Sequence, residues 1–154
     1  MKRMILCAAL MAVCALLLQP TATSAKDKVT RPFKARSDLI TVRYDPYPTV
    51  AVLEGSGWAT HLGNFTADGD LVGTTGGHLI FRGAYTSANG DKLFYDALVD
   101  LGAGYTVAFT GGTGRFENAS GGYEAVYTYR EMDTSGFPVV IVKFGAEGSG
   151  TITY

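Results

Sequence analysis

Phe81-Arg82-Gly83-Ala84-Tyr85-Thr86-Ser87-Ala88-Asn89-Gly90-Asp91-Lys92-Leu93-Phe94-Tyr95-Asp96-Ala97-Leu98-Val99 is the stretch that decides the fold class. Its midpoint, Asn89-Gly90, is a dipeptide favoured in two-residue hairpins, because a type I′ turn needs positive φ at both central residues. The flanks carry Phe81, Tyr85, Phe94, Tyr95 and Val99, types that suit a pleated, half-buried surface. With Ala88 opposite Asp91, Tyr85 faces Phe94, Gly83 faces Asp96 and Phe81 faces Leu98 on one side of the ribbon. Ala84, Leu93, Arg82, Tyr95, Ile80, Ala97 and Val99 fall on the other. Both sides are then more apolar than a sheet with one wet face, so one is expected to line a core and the other to meet a second subunit.

Toward the C-terminus, residues 121–132 and 137–147 read as a second hairpin joined by Asp133-Thr134-Ser135-Gly136. Pairing Met132 with Phe137 puts Tyr123, Ala125, Tyr127, Tyr129, Val140, Val142 and Phe144 on one face. Glu124, Thr128, Arg130 and Lys143 fall on the opposite face beside Val126, the alternation of an inside and an outside. Further strands are expected at 39–43, 49–61, 62–66, 105–110 and 151–154, with Pro46 and Pro48 marking an irregular connection. From Asp38 onward no segment sustains a helical period with caps. The fold class is therefore all-β. Seven or eight short strands with glycine-rich corners fit a closed antiparallel barrel, which leaves no exposed strand edge.

Val107-Ala108-Phe109-Thr110-Gly111-Gly112-Thr113-Gly114-Arg115-Phe116-Glu117-Asn118-Ala119-Ser120-Gly121 is the most distinctive run. Gly111, Gly112 and Gly114 permit positive φ and close backbone approach. Phe116 is placed to pack inward, and Arg115 and Glu117 to point the other way, which makes a sharp barrel corner. A dinucleotide-cradling loop is disfavoured, since Glu117 stands at the third position of G-x-G-x-x-G and a strand follows where a helix is required. The run resembles the strand, glycine turn and following strand of allene oxide cyclases and plant dirigent proteins. Gly57-Trp58-Ala59-Thr60-His61-Leu62-Gly63 and Ala88-Asn89-Gly90-Asp91 look like recurring motifs of exported bacterial proteins with this calycin-like barrel. The resemblance implies an eight-stranded barrel and a homo-oligomer, trimer or dimer. It carries no chemistry over, because the polar residues that guide cyclisation or hold phenoxy radicals in those families have no match on the early strands here, and a shared fold does not imply a shared function.

The N-terminus bears on the compartment. Met1-Lys2-Arg3 is a basic start, and an uncharged apolar run from Met4 to Leu18 follows, ending at Gln19-Pro20 and small residues. This is the pattern of a secretory leader with cleavage after Ala25, so the mature chain is expected to be secreted or periplasmic. The run is shorter than the roughly 20 apolar residues of a membrane span, and no span is expected after its removal. Cys14 would be the acylated residue of a lipoprotein, but Val13 stands where a small residue is needed. The organisation expected is a leader over 1–25, a loose charged arm over 26–37, and one barrel domain over 38–154. Both cysteines, Cys7 and Cys14, fall in the leader, leaving none for a disulfide, thiolate or zinc-thiolate site. The mature chain carries 11 basic and 14 acidic residues. That mildly acidic balance argues against nucleic acid, whose footprint is a clustered basic patch.

The register places Asp96 among Tyr85, Phe94, Phe81 and Leu98. A carboxylate there has its pKa raised by desolvation and is a candidate general acid or base, unless that face looks outward into solvent. Arg82, on the other side, then points inward and needs an anionic partner. Tyr85, Phe94, Phe81, Arg82, Tyr127 and Tyr129 are candidate ligand contacts, since an apolar cavity with a few hydroxyl anchors is the usual makeup of a small-molecule pocket. His61 and His78 form no ligand-spaced pair with another histidine or a cysteine, so neither a metal nor any other cofactor is expected. Three functions fit: a module that encloses or tethers a small apolar or aromatic molecule, a cofactor-free cyclase or isomerase whose cavity restricts a reactive intermediate, and an oligomeric scaffold.

Overall fold

The computed structural model describes residues 28–44 and 50–154. The leader over 1–25 and the connection at Pro46 and Pro48 lie outside them. Eight strands run β1 (Thr30–Tyr44), β2 (Val50–Ala59), β3 (Gly63–Thr75), β4 (His78–Ser87), β5 (Lys92–Asp100), β6 (Gly104–Gly112), β7 (Ser120–Asp133) and β8 (Val139–Thr153). Each pairs antiparallel with the next, and β1 closes on β8, so the chain is an all-β, eight-stranded closed barrel. The closing seam runs from Thr30 opposite Thr153 to Tyr44 opposite Val139. No helix among the described residues is long and apolar enough to cross a membrane.

Residues 30–37, expected as a loose arm, are the first half of β1. Phe33, Ala35 and Ser37 are buried while Lys34 and Arg36 stand outside. The charges had suggested solvent exposure of the whole segment, but they belong to one face of a strand with period two.

The central hairpin differs from its expected register by one residue. Ser87, not Ala88, pairs across from Asp91: its N–H donates to the Asp91 carbonyl at 2.9 Å, and the Gly90 N–H donates to the Ser87 carbonyl at 2.9 Å. Only Gly90 has positive φ, at 89°, and Asn89 does not. The loop is thus the three-residue kind, a tight turn followed by a left-handed glycine. One residue of slip moves side chains between faces. Arg82 now faces Asp96, Ala84 faces Phe94 and Ile80 faces Leu98, all outward, while Phe81, Tyr85, Leu93, Tyr95, Ala97 and Val99 turn inward and are buried.

The second hairpin pairs Met132 with Val142 rather than with Phe137. Phe137 and Pro138 join the loop instead, where Phe137 N–H donates to the Thr134 carbonyl at 3.2 Å; Pro138 has no N–H to give to a ladder. A bulge between Tyr127 and Tyr129 leaves Thr128 as the extra residue. Tyr123, Ala125, Tyr127, Val140, Val142 and Phe144 share the inner face, but beyond the bulge Tyr129 turns out and Arg130, opposite Phe144, turns in. This corrects both placements.

The glycine run closes one end. Gly111 and Gly114 have φ of 126° and 56°, and a Cβ at Gly112 would lie 2.1 Å from the Lys92 carbonyl oxygen. A short 3-10 turn, Gly114–Phe116, drops the fully buried Phe116 ring into the barrel floor. Arg115 reaches back to Asp91 at 3.5 Å, which ties this corner to the Asn89-Gly90 loop.

Candidate functional site

The barrel axis is filled by aromatic rings. Phe33 meets Phe109 edge-on at 4.9 Å, Tyr85 stacks on Tyr95 at 4.5 Å, and Tyr127 meets Phe144 edge-on at 5.3 Å. Inward glycines make room for them: a Cβ at Gly69 would lie 2.8 Å from the Tyr95 hydroxyl oxygen, and one at Gly57 would lie 2.7 Å from the Phe65 ring. This alternation of large and absent side chains is how a narrow barrel accommodates its own interior. The hydroxyls are partnered. Tyr85 and Tyr123 share a hydrogen bond of 2.8 Å, Tyr105 and Ser37 share one of 3.0 Å, and Tyr95 donates to the Asp68 carbonyl at 3.1 Å. Between these rings a void of only about 10 Å³ remains, too little for a guest molecule.

Burial drives the phenol pKa values of Tyr85, Tyr95, Tyr105 and Tyr123 upward, and that of Tyr127 to about 12. At neutral pH these groups are neutral hydrogen-bonding anchors. A phenol with a raised folded pKa holds its proton more tightly in the folded chain. Its stabilising contribution is complete below the ordinary tyrosine value of about 10 and is lost as pH climbs toward the folded value. Stability is therefore expected to fall steeply above pH ~10, with tyrosinate absorbance appearing together with loss of the β-sheet dichroism. Ionisation of the buried tyrosines within an intact barrel would contradict this.

At the end opposite Phe116 the described residues form an apolar mouth. Its lining is Leu53, Leu79, Phe81, Val99, Leu101, Val142 and Phe144, with Thr41, Arg43, Tyr127 and Arg130 as the polar members. Its volume is about 20 Å³, room for one or two waters. Six strands, β1, β2, β4, β5, β7 and β8, contribute side chains: Arg43 comes from the end of β1, Leu79 from the start of β4 and Val142 from β8. Arg130 arrives through the bulge, a device that re-aims side chains beside functional sites.

The candidates from sequence separate between the two surfaces. Phe81 and Tyr127 stand at this mouth, and Tyr85 lies deeper, in the aromatic fill. Phe94 and Tyr129 are exposed on the outside, where the Tyr129 hydroxyl donates to Asp38 at 3.3 Å. Arg82 and Asp96 are together outside as well: Nε to Oδ1 is 2.8 Å and Nη2 to Oδ2 is 3.1 Å, a two-pronged pair. That hydrogen bond lowers the Asp96 pKa and raises that of Arg82. The expected raised carboxyl is thus reversed, because the hairpin slip turns Asp96 toward its cation instead of into the rings. Asp96 carries no interior acid–base chemistry. His61 and His78 sit apart, bonded to the Pro32 carbonyl at 3.0 Å and lying 3.8 Å from Asp100 respectively. No cluster of three or more metal-ligating side chains occurs among the described residues. Thr41, Arg43 and Arg130 were missed from sequence.

No protein-family model matches the chain, and no curated protein matches it. Among solved structures, the pterocarpan synthase dirigent protein GePTS1 superposes with a TM-score of 0.53 at 15% identity, over 86% of this chain and 94% of its own. The pterocarpan synthase dirigent protein PsPTS1 gives 0.47 at 12%, over 80% and 95%. Identity this low carries the fold alone: the chain is an eight-stranded barrel of the dirigent kind.

Proposed function

We propose that this barrel tethers a small apolar or aromatic molecule at the mouth opposite Phe116, without covalent catalysis. The observation that carries the reading is an apolar floor with a few convergent polar groups, the general constitution of a small-molecule site. The filled axis removes the stronger version in which the guest is swallowed whole. The mature chain is proposed to work outside the cytoplasm, on the strength of the leader read in residues 1–25.

The test uses the neutral fluorophore N-phenylnaphthylamine. Val142→Trp and Leu101→Trp each add an indole to the mouth, from β8 and from the segment after β5. Each is expected to weaken binding by about tenfold or more, the equivalent of 1.4 kcal/mol, while melting temperature shows that the barrel is intact. Two variants guard against one failing to fold. Unchanged affinity in both would overturn the reading.

A further inference from the structure

We infer that the mouth selects a small amphipathic monoanion, an aromatic carboxylate or a close equivalent, with its charge against Arg130 and its apolar body on Phe81, Val142 and Phe144. This rests on the mouth-binding reading above and adds the class of ligand.

Three observations converge on it. Among the described residues, the mouth lining holds Arg130 and no acidic residue, although the whole chain is net negative. A local cationic bias over low-dielectric walls concentrates anions. Arg130 also stands over an apolar floor, opposite Phe144, and makes no ion pair with any described residue. The acids on its own strand are turned elsewhere: Glu131 lies opposite Lys143, and Asp133 accepts the Ser135 N–H at 2.9 Å. Finally, Arg130 borders the mouth, at its solvent-exposed rim, because the Thr128 bulge reverses the strand's parity. A guanidinium at the edge of an apolar site is matched by a planar, two-oxygen anion.

Two probes share one aromatic body: anilinonaphthalene sulfonate is anionic, and N-phenylnaphthylamine is neutral. Arg130→Gln is expected to weaken the sulfonate by about tenfold and to change the neutral probe less than about twofold. Arg130→Lys, which keeps the charge, should recover most of the loss. Benzoate and naphthoate should displace the sulfonate, and naphthylamine should not. If Arg130→Gln weakens both probes alike, or neither, the anion inference falls while mouth binding stands. If the tryptophan variants at Val142 and Leu101 affect neither probe, or if neither probe binds, both fall together.

Discussion

Phe33→Ala is expected to destabilise the barrel by about 3–5 kcal/mol, the range for removing a fully buried aromatic ring, read from the shift of the urea midpoint at constant slope. Phe33 is 1% exposed and lies between Phe109 at 4.9 Å and Tyr123 at 5.3 Å. These rings come from β1, β6 and β7, so the cavity left by alanine has walls that cannot collapse independently. Lys34→Ala, one position along and on the outside, is the control and should change stability little. A loss under about 1 kcal/mol for Phe33→Ala would mean that residues 30–37 are an appendage after all.

Phe116→Ala should cost a similar ~3–5 kcal/mol, at the other site where one ring carries a whole end of the barrel. The ring is completely buried, edge-on to Tyr154 at 5.5 Å, with the Arg115 guanidinium 4.8 Å above its centroid. Phe116→Leu keeps most of the volume and should cost less than about 1.5 kcal/mol. Equal losses for both substitutions, seen in thermal and urea unfolding, would show that the aromatic contacts rather than the filled space matter there. Neither variant touches the mouth, so neutral-probe binding by the folded fraction should be preserved.

How far the sequence could be read depended on the reach of each signal. Strand content and closure were legible because turn residues and inside–outside alternation recur all along the chain. The register at Asn89-Gly90 was not, since the same dipeptide serves a two-residue loop and, with Ala88, a three-residue loop; the difference lies in φ at Asn89, which the residue type leaves open. From that one-residue slip came the mistaken separation of Arg82 from Asp96. The alternation Phe33, Ala35, Ser37 was present in the sequence but overshadowed by Lys34 and Arg36. Arg130 had no local signal at all. Tyr127-Thr128-Tyr129 alternates like any regular strand, and only the pairing with β8 reveals that Thr128 is supernumerary.

Because β1 pairs with β8, the seam joins Thr30 to Thr153 across 123 residues of chain, down to a hydrogen bond between their hydroxyls at 2.7 Å. On a ribosome, the first strand is made early and its second neighbour last. Until Val139–Thr153 has emerged, β1 presents an unpaired ladder and the inner row Phe33, Ala35, Ser37 and Leu39 has no lid. Such long-range pairing slows folding, and the waiting edge is a surface on which nascent chains stick to one another. A transcript truncated before β8 should therefore yield aggregate rather than a seven-stranded relic, and interrupted synthesis is the circumstance this architecture tolerates least.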